Sequence, residues 1–325
     1  MRIFLSVLLL FAFLPSYSGE ERLTLWPSHF GIEATPVDLD WRDPSRKQLG
    51  QLTYLGGVQL TSAVYGFGGF SAMTVDGDRF TLLGDGGNFV RFRMGADWRV
   101  SDMVSGALVD GPGPGWRKLE RDSESLTRDP ATGTLWVGFE RANQIWRYDP
   151  DLRHGRGVAP RAMAKWSLNG GAESLVRLRD GSFIAISEHK VAGAKGTREA
   201  IWFAGDPLRV PDRGFRFAYR PPARFQPTDA AELPDGRIAI LNRRASLQAG
   251  FTASLTLIDR AAIRPGAIVT GQEVARFAAP VLHDNFEALA VSREGRDTIL
   301  WIASDDNALW FQRSLLLKFR LDAPP

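Results

Sequence analysis

The sequence predicts an all-β fold, a β-propeller of five countable four-stranded blades, and three observations carry that prediction. A block recurs five times: a polar residue, an apolar strand, a Gly turn, a second apolar strand and another polar residue. Its leading residues Ser71, Glu124, Glu173, Asp229 and Glu287 are 53, 49, 56 and 58 residues apart, near the length of one blade. The chain shows no long amphipathic helix, and its last block stops one strand short at Pro325. The alternating stretch LTYLGGVQLTS at 52–62 supplies a strand at the other end, so that the N-terminus completes the last blade and closes the ring.

Taken in order, residues 1–18 read as an export signal. Arg2 is followed by an apolar run from Ile3 to Leu14, then Pro15 and the small residues Ser16 and Ser18. That run is short of the roughly 20 residues a span needs, so no permanent membrane anchor is expected after cleavage. Residues 19–325 are then a single propeller domain in a periplasmic or secreted bacterial protein. The chain has no cysteine, which excludes disulfides and thiolate metal sites. The stretch from Leu23 to Gly50 is unassigned and leaves a degenerate sixth blade open.

The first block is FSAMTVDGDRFTLLGD from Phe70, and the second expands into SLTRD, TLWVGFE, QIWRYD and AMAKWSL. The third adds AIWFAGD and FRFAYRP, the fourth ASLTLIDR and EVARFAAP, and the fifth TILWIASDD and SLLLKFRL. GPGPGW at 111–116 and HKVAGAKGTRE at 189–199 read as rim excursions. Trp136, Trp146, Trp202 and Trp301 stand at alternating strand positions, which suits packing between blades.

The strand ends carry the chemistry. Each block pairs a leading polar residue with one after its second strand: Ser71 with Asp85, Glu124 with Glu140, Glu173 with Glu188, Asp229 with Asn242, Glu287 with Asp305. Around a shared axis these gather at one channel mouth, where carboxylates must be protonated, hydrogen-bonded to a cation or bridged by a metal. Hard oxygen ligands suit Ca²⁺. Asp85, Glu140, Glu188, Asp229, Asp305 and Asp306 are the expected ligands, and Glu124, Glu173 and Glu287 the expected catalytic groups. The cations that follow them, Arg141, His189, Lys190, Arg243 and Arg313, suit a small anionic substrate. Each acid also has an architectural reading as a latch between blades.

Other chemistry finds less support. GFSAM at 69–73 lacks the last Gly and the strand-turn-helix setting of a nucleophile elbow, and no Walker loop, dinucleotide fingerprint, HExxH or EF-hand pattern occurs. A net charge of +3 gives no basic footprint for nucleic acid. A monomer is expected.

The segments FSAMTVDGDRFTLLGDGG, DSESLTRDPATGTLWVGFE, GAESLVRLRDGSFIAISE and PTDAAELPDGRIAILNR, with DNFEALAV, LWIASDDN and QRSLLLKFRL, resemble the family called esterase-like activity of phytase. The resemblance runs from about Leu52 to Leu321 and implies a propeller that hydrolyses a phosphoester or related ester with acidic residues: Asp85, Glu124, Glu140, Glu173, Glu188, Glu287, Asp305 and Asp306. Ser71 and Asn242 depart from the pattern, since the other copies carry carboxylates there.

Overall fold

Short apolar stretches punctuated by Gly turns pair as antiparallel strands, and the computed structural model describes them over residues 23–307 and 312–322. The export signal of residues 1–18 lies outside the described residues. Four blades follow the sequence in simple order. Blade 1 contains Phe70–Asp76, Arg79–Gly84, Asn88–Met94 and Val100–Ala107. Blade 2 contains Ser123–Arg128, Leu135–Phe139, Gln144–Tyr148 and Gly155–Val158. Blade 3 contains Ser174–Arg177, Phe183–Lys190, Arg198–Phe203 and Gly214–Arg220. Blade 4 contains Gln226–Glu232, Ile238–Ser246, Gly250–Ile258 and Gln272–Phe277.

Blade 5 joins the two ends of the chain. Phe286–Glu294, Asp297–Ser304 and Leu315–Leu321 are completed by Leu52–Thr61, which lies antiparallel to the C-terminal strand with Val58 opposite Leu316. The ring therefore has five blades. Part of the stretch left open for a sixth, Glu33–Pro36 and Gln48–Leu49, pairs instead with Leu52–Thr61 and covers its outer edge. Ile268–Thr270, an excursion of blade 4, likewise covers the edge of blade 3 in parallel. The outer strand of blade 2 is Gly155–Val158, not AMAKWSL, whose first part forms a 3-10 turn at Arg161–Met163.

Five apolar clusters hold the ring, one between each pair of neighbouring blades. Trp301 of blade 5 meets Phe80 of blade 1 edge-on at 4.7 Å, and Trp136 of blade 2 meets Phe183 of blade 3 at 5.0 Å. Such ring pairs add about 1 kcal/mol each beyond the apolar area they bury. The GPGPGW loop folds around the Arg121 guanidinium, which is 2% exposed and donates to the carbonyls of Leu108, Val109 and Pro112.

Candidate functional site

The site grows out of a backbone irregularity. In blades 1, 2, 4 and 5 the inner strand bulges within three residues of its start, at Ser71, Glu124, Thr228 and Glu287. Glu173 precedes the first paired residue of blade 3 and takes the same place. These five residues form one ring around the channel, since each inner strand packs against the next. A bulge re-aims the side chain it carries. On the second strands the residues two places past the partner of the one that follows each first-ring position form another ring: Asp85, Glu140, Glu188, Arg243 and Asp305.

Blade 4 is therefore offset from the sequence alignment by one residue at both places. Thr228, not Asp229, occupies the first ring, and Arg243, not Asn242, the second. Asp229 is 1% exposed, and its carboxylate accepts from Leu289 N at 2.7 Å and Ala230 N at 2.8 Å, latching blade 4 to blade 5. Asn242 is buried between Tyr219, Ser254 and Thr256. The hydroxyls of Ser71 and Thr228 donate to carbonyls of the next blade, Ser123 O at 2.6 Å and Phe286 O at 3.2 Å.

Three carboxylates of blade 2 converge most closely. Asp122, Glu124 and Glu140 each present an oxygen within 4.8 Å of the others. That separation is twice a Ca–O distance of about 2.4 Å, so the three oxygens fit around one divalent ion. Asp122 was missed by the sequence reading. Its signal was present in the D-S-E spacing, which places Asp122 and Glu124 on one side of an extended strand. Glu140 also lies in hydrogen-bonding reach of Glu173 on the next blade.

Arg243 is the counter-charge at the centre. Its guanidinium bonds Glu287 and Asn285 Oδ1 (2.9 Å) of blade 5 and lies 3.6 Å from Glu188 of blade 3. Burial works against its charge, but Glu287, Glu188, Glu173 and Glu124 outweigh this and hold it firmly protonated. Burial and neighbouring acids push Glu124 and Glu173 well above the usual carboxyl range. Burial also raises Glu188 and Glu287, with Arg243 opposing the rise at both. Asp122 is pushed up to about 7 by burial and by Glu140.

The remaining expected residues lie around this centre. Asp85 pairs with Lys118 at 2.7 Å, and Asp305 accepts from Asn285 Nδ2 at 3.3 Å. Burial, with Glu287 next, raises Asp305 well above the usual range. Asp306 accepts from Gly69 N at 3.1 Å and Ser314 Oγ at 2.7 Å, tying blade 5 to blade 1. Gly68, at φ +130°, permits that approach, because a Cβ there would stand 2.2 Å from Asp306 Oδ2. Arg141 reaches Asn169 Oδ1 at 3.3 Å and acts on the charge of Asp122. His189 and Lys190 follow Glu188 in the sequence, and Arg313 pairs with Asp284 at 3.4 Å.

Comparison with solved structures returns distant likenesses. Hydrazine synthase of Kuenenia stuttgartiensis shares 14% identity over 76% of this chain and 80% of its own, with a TM-score of 0.38. A luciferin-regenerating enzyme shares 10% identity over 89% of this chain and 95% of its own, with a TM-score of 0.41. The Cps50 β-propeller domain of Myceliophteria thermophila shares 8% identity over 93% and 99%, also at 0.41. Likenesses at this level carry no argument, and the fold rests on the strand pairing described above. No curated protein matches the chain. A family model does match, over residues 65–308, a span that includes both polar rings. The chain belongs to the phytase-like family described as esterase-like activity of phytase.

Proposed function

We propose that the protein is an exported hydrolase acting on a phosphate ester or related ester at the acidic mouth. The observation that carries this reading is the convergence of Asp122, Glu124 and Glu140 within 4.8 Å, beside Glu173 and the Arg243 hub. These three residues would hold a divalent cation, with Ca²⁺ favoured by an all-carboxylate oxygen set. Once bound, such an ion supplies Lewis-acid polarisation of the ester oxygen.

The chain's own residues divide the proton work. Glu173, whose carboxyl burial and the neighbouring Glu188 and Glu140 shift toward the protonated form, donates its proton to the leaving oxygen as the ester bond breaks. Glu287, which Arg243 draws back toward the charged form, accepts a proton from the attacking water. The new bond joins water oxygen to phosphorus or acyl carbon, and a proton returned from Glu287 to Glu173 resets the pair. Arg243 and Lys118 orient the anionic oxygens of the substrate.

The test is a set of generic phosphomonoester, phosphodiester and carboxylester substrates, assayed with Ca²⁺ and with chelator. Wild type should turn over one class in a chelator-sensitive way, and Glu173→Gln should lower kcat by about 10² or more. Rates equal to the blank on every substrate would end the hydrolase reading. One observation favours a second reading, a noncatalytic ligand- or protein-binding propeller with acids as latches: Arg243 ties blade 4 to acids of blades 3 and 5. Under that reading Glu124→Gln and Glu287→Gln lower the melting temperature with no response to Ca²⁺.

A further inference from the structure

The channel has a second mouth at the other ends of the inner strands, and its chemistry is the inverse of the first. All five inner strands line a cavity there of about 610 Å³, within the range of small-molecule sites. Its floor is apolar, formed by the buried side chains of Met73, Leu126, Ala230 and Leu289. In each of these blades that floor residue lies two positions beyond the first polar ring, roughly 7 Å along the strand. An apolar collar thus separates the acidic mouth from this one.

The rim is basic. Arg128 is matched by Asp76 at 2.9 Å and Arg177 by Asp129 at 3.4 Å. Glu232 is offset by Arg260 at 3.9 Å and by the backbone N–H of Arg179 at 2.7 Å. Arg260 is shared with Asp180, so Arg128, Arg177, Arg179, Arg260 and Arg293 face Asp76, Asp129, Asp180 and Glu232, and one positive charge is left over. Among the described residues the Arg179 guanidinium hydrogen-bonds only the carbonyls of Pro234 (2.7 Å) and Leu233 (2.6 Å). Arg293, exposed at the end of the blade 5 inner strand, has no carboxylate partner among the described residues. An apolar floor excludes a strongly hydrated ligand, while a surplus guanidinium charge at the entrance selects an anion.

We propose that this mouth binds a single-chain carboxylate amphiphile, its alkyl chain on the Met73, Leu126 and Leu289 floor and its carboxylate on Arg293 and Arg179. The site is separate from the acidic mouth and does not depend on the hydrolase reading. Calorimetric titration of the full chain with decanoate, decanol and decyltrimethylammonium tests it. Decanoate should bind one to one and at least about tenfold more tightly than decanol, the worth of one charge-assisted contact, with the cationic amphiphile weakest. Arg293→Ser, an exposed position, should weaken decanoate about tenfold while leaving decanol unchanged. Glu173→Gln should leave decanoate binding intact. Absence of decanoate binding, equal binding of the cationic amphiphile, or indifference to Arg293→Ser would each overturn the proposal.

Discussion

Arg243 takes the one second-ring position that is not a carboxylate, and this sets the charge of the acidic mouth. Removing it leaves Glu287 and Glu188 buried without their cation, so Arg243→Met should cost about 3 kcal/mol in chemical denaturation. Asp229 offers a contrast. Its two backbone N–H partners make Asp229→Ala a loss of about 2 kcal/mol that leaves Ca²⁺ response and ester turnover unaltered. A change in Ca²⁺ response would return Asp229 to the ligand set. The sequence showed the acids but not which side of a bulge each one occupies. An Asp directly after Thr228 looks equivalent to the leading Glu of other blades, and only pairing to Leu241 reveals the one-residue offset. Asp122 was overlooked for a related reason, since it sits ahead of the repeated block as that block was first aligned.

At the level of strands, the repeat was legible because Gly turns and alternating apolar residues are local signals. The ring closure was legible too, as a missing strand at one end and a spare one at the other. The outer strand of blade 2 was not, because a four-residue edge strand of Gly and Arg carries little hydrophobic pattern. Closure also makes a sharp prediction. Val58 lies between Pro36 on one side and Leu316 on the other, so a proline there breaks the ladder inside blade 5. Val58→Pro should lower stability by about 3 kcal/mol or more, whereas an exposed change such as Leu247→Ser should have little effect. Equal melting temperatures for the two variants would mean that the closing strand contributes little.

For the whole molecule, pH and cation binding are linked through the acidic mouth. Asp122, raised from its ordinary 3.8 to about 7, keeps a proton in the fold that the unfolded chain has already released. Stability without cation therefore declines as pH rises from about 4 toward about 7. A bound divalent ion replaces that proton, so stabilisation by Ca²⁺ should be small at pH 5 and near full at pH 8, where about 4 °C in Tm is expected. The same increment at both pH values would contradict the assignment of Asp122 to the ion. Among the described residues no helix is long and apolar enough to cross a membrane.

The partnership of Leu52–Thr61 with Leu315–Leu321 also governs when the protein can become itself. Synthesis delivers Leu52–Thr61 long before Leu315–Leu321, so every nascent intermediate between the two has an open seam. The seam joins residues separated by most of the polypeptide, the kind of distant contact that slows folding. Until it is sealed blade 5 lacks its fourth strand, and a chain cut ahead of Leu315 would leave a ring that never locks.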